Sequence, residues 1–188
     1  MMANETRRLI EGILFLVLFV LTIPTANWLV VNAGTTCVPG GPCLIPVAPG
    51  VMAPSGVAMI GIALVLRDLV QRRLGASASA AAILGGTVIS AFVAPPALVI
   101  ASATAFFLSE FADFAVYTPL ARRRLITAVV ASGMVGLTVD SIVFLWLAFG
   151  SLDFLAGQVI GKAWMTLAAI PFVMLLRRRD ERLGIQPV

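Results

Sequence analysis

Long apolar runs separated by short basic clusters dominate this chain. The runs extend from about Leu9 to Val31, Pro54 to Gln71, Ser77 to Ala94, Ala97 to Leu120, Ile126 to Phe149 and Phe154 to Leu176. Each approaches the roughly 20 residues a helix needs to cross hydrocarbon, some only narrowly. The pattern therefore predicts six spanning helices. The first is too long for a signal peptide; Pro24 and Asn27 interrupt it, and no small-residue cleavage site follows cleanly. The stretch from Asn32 to Ala53 is rich in Gly and Pro, holds no Lys or Arg, and reads as one long outer loop. The third run is dense in Ala, Gly and Ser, which let helix backbones approach closely, and Pro95-Pro96 ends it in a tight turn.

The basic residues fix an orientation. The two termini, the second–third connection and the fourth–fifth connection hold eleven of the thirteen: Arg7-Arg8, Arg72-Arg73, Arg122 to Arg124, and Arg177 to Arg179 with Arg182. The opposite connections hold none, and the other two, Arg67 and Lys162, lie inside helices. That asymmetry places both termini in the cytoplasm. It also reads the basic balance as topology rather than nucleic-acid binding.

Composition agrees with this reading. The 188 residues are 60% hydrophobic and 12% charged, with a mean hydropathy of +1.05, against about 25% charged in a soluble domain. The expected fold class is an all-α membrane protein, a single integral domain over residues 1–188. No histidine is present, which removes the commonest metal ligand and the usual general base near neutral pH. No nucleophile–base constellation or metal-ligand cluster stands out, so an enzyme, a resident cofactor and a metal site are not expected. Cys37 and Cys43 flank Val-Pro-Gly-Gly-Pro, and a disulfide and free thiols both remain open for them.

The chemistry concentrates in charges inside the apolar runs: Asp68, Glu110, Asp113, Asp140 and Lys162. A charge in a bilayer costs from roughly 3 to above 10 kcal/mol, so such residues are usually kept for a substrate or ion path. Glu110, Asp113 and Tyr117, spaced i, i+3, i+7, share one helical face. Glu110 lies roughly 18 Å along its helix from Arg122. Asp140 lies roughly 21 Å along the fifth helix from Ile126, with Ser141 beside it and Phe144 one turn on. Lys162 of the sixth helix is its natural partner, since neither tolerates hydrocarbon alone. Arg67 is expected to snorkel to the interface while Asp68 turns into the bundle or pairs at the interface. Asn27 offers a donor and an acceptor near the outer end of the first helix, and Trp28 suits the aromatic belt. A faint internal echo links Asp68…Arg72-Arg73-Leu74 with Asp113…Arg122-Arg123-Arg124-Leu125, a weak sign of the repeats common in transporters.

Several blocks in order resemble the queuosine precursor transporters, formerly labelled vitamin uptake transporters. They are Ala26-Asn27-Trp28-Leu29-Val30, Arg67-Asp68-Leu69-Val70 with Leu74-Gly75-Ala76, Ser109 to Tyr117, Asp140-Ser141-Ile142-Val143-Phe144, and Lys162. The acidic fourth-helix block and the Asp-Ser-x-x-Phe block are the specific parts. The chain departs from the family pattern in its Pro-Gly cysteine loop and at Gly133 and Gly136, where an Asn or Ser before the aspartate is more usual.

The resemblance implies a six-helix bundle, similar in shape to the substrate-binding subunits of vitamin importers. It implies inner-membrane import of 7-cyano- or 7-aminomethyl-7-deazaguanine by secondary transport, with proton coupling as one energy source. The alternative is a binding subunit that needs an energising partner complex. Small residues spaced by four on the first helix would favour that alternative, and none are convincing between Leu9 and Pro24. A carboxylate can accept the adjacent N–H donors of the base in a charge-assisted fork. The expected substrate-binding set is Glu110 or Asp113 first, Asp140 next, then Lys162, Asn27, Tyr117, Phe144 and Asp68, with Phe106, Phe111 and Phe114 as further stacking candidates. Expected partners are the deazapurine and the lipid bilayer, with a homodimer as a further expectation and no nucleic acid.

Overall fold

A computed structural model describes residues 2–39 and 41–185. Six long helices account for most of it: α1 (Met2–Asn32), α2 (Val57–Leu74), α3 (Ala76–Val93), α4 (Val99–Ala121), α5 (Leu125–Phe149) and α6 (Leu155–Leu183). A short 3-10 turn, Pro96–Leu98, leads into α4. Five of the helices, all but α2, are long and apolar enough to cross a membrane. Their exposed side chains are largely hydrocarbon, including Ile10, Leu21, Phe92, Ile100, Phe111, Trp146 and Leu175. Such a surface is stable against lipid and not against water.

The exception, α2, explains how the charges are housed. It carries Arg67, Asp68, Arg72 and Arg73 within 18 residues, of which twelve are buried. It touches each of the other five helices. Helices that present apolar faces to lipid thus surround one whose polar groups meet only protein, the arrangement that intramembrane charges require. Gly61 lets it sit close to α6, because a Cβ there would lie 2.7 Å from the carbonyl oxygen of Lys162. The α2–α3 connection is the single residue Gly75 at φ 91°, a left-handed conformation that glycine adopts without penalty.

Several helices run further than hydropathy alone indicates. Pro24 sits inside a continuous α1 rather than breaking it. At 31 residues α1 is about 46 Å long, more than hydrocarbon thickness, so it tilts or protrudes. The sixth helix continues past Leu176 to Leu183, where Arg177 pairs with Glu181 and Arg179 with Asp180 and with Glu11 of α1.

The loop after α1 is ordered, which corrects its reading as irregular. It folds into an antiparallel sheet of β1 (Thr36–Cys37), β2 (Cys43–Ala48) and β3 (Val51–Pro54) in the order β1-β2-β3. Cys37 and Cys43 face each other across β1 and β2 and form a disulfide. Pro49 and Gly50, with Gly50 at φ 71°, turn β2 into β3, the residue pair that a turn with positive φ at its second position favours. The sheet is seated on the helices. Ser55 Oγ donates to the Leu29 carbonyl at 2.7 Å, and Trp164 Nε1 donates to the Val47 carbonyl at 3.2 Å. Gly157 of α6 leaves room for the Met52 carbonyl.

Candidate functional site

Beneath that sheet lies a cavity of about 70 Å³, several times the roughly 10–15 Å³ that one water needs. All six helices contribute to its wall. Thr22, Ile23, Ala26, Asn27 and Val30 come from α1, and Val57, Ile60 and Ala63 from α2. Ser90 comes from α3, Ser102 and Phe106 from α4, Asp140 and Phe144 from α5, and Gln158 and Lys162 from α6. Pro54 and Gly56 close the side nearest the sheet. The wall is therefore mostly apolar, with two rings and a few polar groups, the usual make-up of a small-molecule site.

The polar groups are held in place by one another. Lys162 Nζ donates to Asp140 Oδ2 at 2.5 Å, to Ser141 Oγ at 2.9 Å and to Gln158 Oε1. Three donors with three acceptors satisfy the ammonium fully. The i, i+4 spacing of Gln158 and Lys162 puts both on one face of α6, and Asp140 and Ser141 meet them from α5. The pair foreseen between Asp140 and Lys162 is present, and Asp140 keeps Oδ1 and further lone pairs for another partner. Asn27 Nδ2 donates to the Ile23 carbonyl at 3.0 Å, which fixes the amide. Phe106 packs on Phe19 with ring centroids 5.9 Å apart, and Phe144 meets Phe149 edge-on at 5.9 Å.

The other expected residues gather elsewhere. Glu110, Asp113, Tyr117 and Asp68 are not part of the cavity wall; they surround Arg67 on the side towards the basic connections. Arg67 is fully buried, contrary to the snorkelling expected of it. Its Nε lies 3.3 Å from Glu110 Oε2, and its Nη2 lies 2.9 Å from Asp68 Oδ1 and also pairs with Asp113 Oδ1. Nη1 donates to Gln71 Oε1 at 3.3 Å. The guanidinium lies 5.5 Å from the Tyr117 ring centroid and 5.9 Å from that of Phe114. Ser132 Oγ donates to Asp68 Oδ2 at 3.4 Å. The shared face of Glu110, Asp113 and Tyr117 thus exists, and it is turned to α2. Phe111 and Trp28 are exposed.

A third polar layer lies at the basic end. Asp180 accepts from Arg72 and Arg73, and Glu11 lies 3.0 Å from Arg73 Nε and 2.6 Å from Arg179 Nη2. It ties α1, α2 and α6 together.

Residues 90–176 match the family model described as "Putative vitamin uptake transporter". This is the family, under its older label, that the motifs resemble. The matched span takes in α4, α5 and most of α6, and so covers the cavity residues from Ser90 to Lys162 and the carboxylates Glu110, Asp113 and Asp140. Asn27, Arg67 and Asp68 lie outside it. No curated protein and no solved structure matches the chain. The match covers 87 of the 188 residues, and five apolar helices are long enough to cross a membrane.

Sequence reading missed Ser90, Ser102, Thr22 and Gln158 on the cavity wall, and Arg67 as the centre of a buried cluster. For the four cavity residues the available signal was the same: an isolated polar residue inside an apolar helix. Gln158, one turn from Lys162, was the most legible of them.

Proposed function

We propose that the chain imports a 7-deazaguanine, the 7-cyano or 7-aminomethyl form, across the inner membrane by secondary transport, and that the cavity beneath the sheet is its binding site. The observation that carries this reading is the meeting of Asp140, Gln158, Lys162 and Asn27 with the Phe106 and Phe144 rings on one wall. A flat, amide-rich base needs such a set. Asp140 accepts from the adjacent N–H donors of the pairing edge. The amides of Asn27 and Gln158 complement the remaining donors and acceptors, Lys162 holds Asp140 and Gln158 in place, and the phenyl rings cover the flat faces. Asp140 replaces Glu110 and Asp113 as the leading residue for the base edge, because Arg67 already engages those two.

With the basic connections in the cytoplasm, the cavity loads from outside. The Arg67 cluster and the Arg72–Arg73–Asp180 layer close the route inwards, so release requires these ion pairs to part. The family match over residues 90–176 supports transport over enzymology.

Titration of the purified protein with guanine, 7-cyano-7-deazaguanine and 7-aminomethyl-7-deazaguanine tests the reading. At least one deazaguanine should bind, and Asp140→Asn should weaken it at least about tenfold, the scale of one charge-assisted bond at roughly 1.5–3 kcal/mol. Equal affinity in the variant would remove Asp140 from the site, and binding of none of the three would remove the substrate class.

A further inference from the structure

We propose that the Arg67 cluster is a proton-binding site, separate from the substrate cavity, through which proton entry drives transport; the coupling half of this statement rests on the function proposed above. The charge count carries it. Asp68, Glu110 and Asp113 stand around one guanidinium, and all four side chains are at most 2% exposed. If every carboxyl were ionised, two negative charges would be in excess inside protein, which an interior without water does not support.

Among the described residues, Arg67 is the one cation in ion-pair contact with these carboxylates. On α2, the next cations, Arg72 and Arg73, are engaged by Asp180 and Glu11. On α4 the remaining titratable group is Tyr117, which is neutral as a phenol. From α5 the cluster meets Ser132, and two turns further Asp140, whose charge Lys162 of α6 already balances. The segment forming α3 has no ionisable side chain, and on α1 Glu11 is taken by Arg73 and Arg179.

Beside the ion-paired oxygens, two buried oxygens of the cluster form no hydrogen bond among the described residues. They are Asp113 Oδ2 and the Tyr117 hydroxyl. The first lies 3.2 Å from the position a Cβ on Gly136 would take, wedged between α4 and α5. A proton on the carboxyl gives that oxygen a role that no side chain in the fold provides. Protonation of the carboxyls removes the excess charge without a further ligand.

Position makes the site useful. Glu110 follows the cavity residue Phe106 by one turn of α4, and its contact with Arg67, at 3.3 Å, is the longest of the three ion pairs. A proton arriving from water in the cavity adds to a Glu110 oxygen. The Arg67–Glu110 attraction then weakens from an ion pair to a hydrogen bond between the guanidinium and a neutral carboxyl, and the proton later leaves to water at the basic end.

Infrared spectroscopy of the purified protein without substrate tests the site alone. A protonated-carboxyl C=O stretch should be present at pH 7, reduced in Glu110→Gln or Asp113→Asn, and unchanged in the surface variant Glu181→Gln. No such band at pH 7, a band indifferent to both cluster variants, or its loss on adding sodium at fixed pH would overturn the proton assignment. In proteoliposomes, Glu110→Gln should retain deazaguanine exchange and lose accumulation driven by a proton gradient. Gradient-driven accumulation equal to the unsubstituted protein overturns the coupling. If the unsubstituted protein moves no deazaguanine at all, the proposed function fails, and the infrared result still judges the proton site.

Discussion

Arg67 shows what a single side chain decides in this protein. One guanidinium presents five donors in a fixed plane, and here it addresses two carboxylates of α4, one of α2 and the Gln71 amide. A lysine cannot reproduce that fork, since its ammonium is a compact point charge. Arg67→Lys should therefore fold but melt at a lower temperature, and Arg67→Gln should be worse by about 3–5 kcal/mol, the usual effect of removing one partner from a buried ion pair. Thermal unfolding in detergent, followed by near-ultraviolet circular dichroism, measures both; a fully stable Arg67→Gln would mean that the carboxylates do not depend on Arg67. At this scale the sequence was legible where two opposite charges stood alone in adjacent helices, as Asp140 and Lys162 do. It was not legible for Arg67. Its place near a helix end suited snorkelling, and spacing along one helix does not reveal which way that helix faces its neighbours.

Among the elements, α2 is the one that hydropathy judges poorly. Its four charges depress its mean hydropathy, yet it is the most enclosed helix of the bundle, touching the other five. The five apolar helices are readable because lipid selects their outward faces directly. The environment of α2 is set by those helices, and no local pattern encodes it. The sheet after α1 escaped for a related reason: its strands hold two to six residues, include prolines, and are stabilised by a disulfide and by contacts with α1 and α6 rather than by alternation. The α2–α6 contact makes a prediction about packing. Gly61→Ala would place a methyl 2.7 Å from the Lys162 carbonyl oxygen and 2.7 Å from Met165 Cβ, neither of which can rotate away. The helices must part, at a cost of about 1–3 kcal/mol. Because Lys162 is the residue displaced, ligand affinity should fall together with melting temperature. A variant with lowered stability and unchanged affinity would show that α6 yields elsewhere.

For the whole molecule, polar layers succeed one another from the sheet to the basic end: cavity, Arg67 cluster, then the Arg72–Arg73–Asp180 layer. Alternating access needs one end open and the other fastened, and ion pairs that join α1, α2 and α6 are suited to fastening because they can re-form. The compartment we propose for each end rests on two independent features. Clustered arginines belong on the cytoplasmic side, and a disulfide persists where the environment is oxidising; Cys37–Cys43 sits at the end away from the arginines. The two features therefore demand the same orientation. In a Cys37→Ser, Cys43→Ser background, a cysteine at Asp153 in the exposed α5–α6 connection should react with a membrane-impermeant maleimide in intact cells. A cysteine at the exposed Glu181 position should react only after permeabilisation; the Arg177 pair lost there is a surface one and contributes at most about 1 kcal/mol. The reverse labelling pattern would place the cavity on the cytoplasmic side and turn the proposed importer into an exporter.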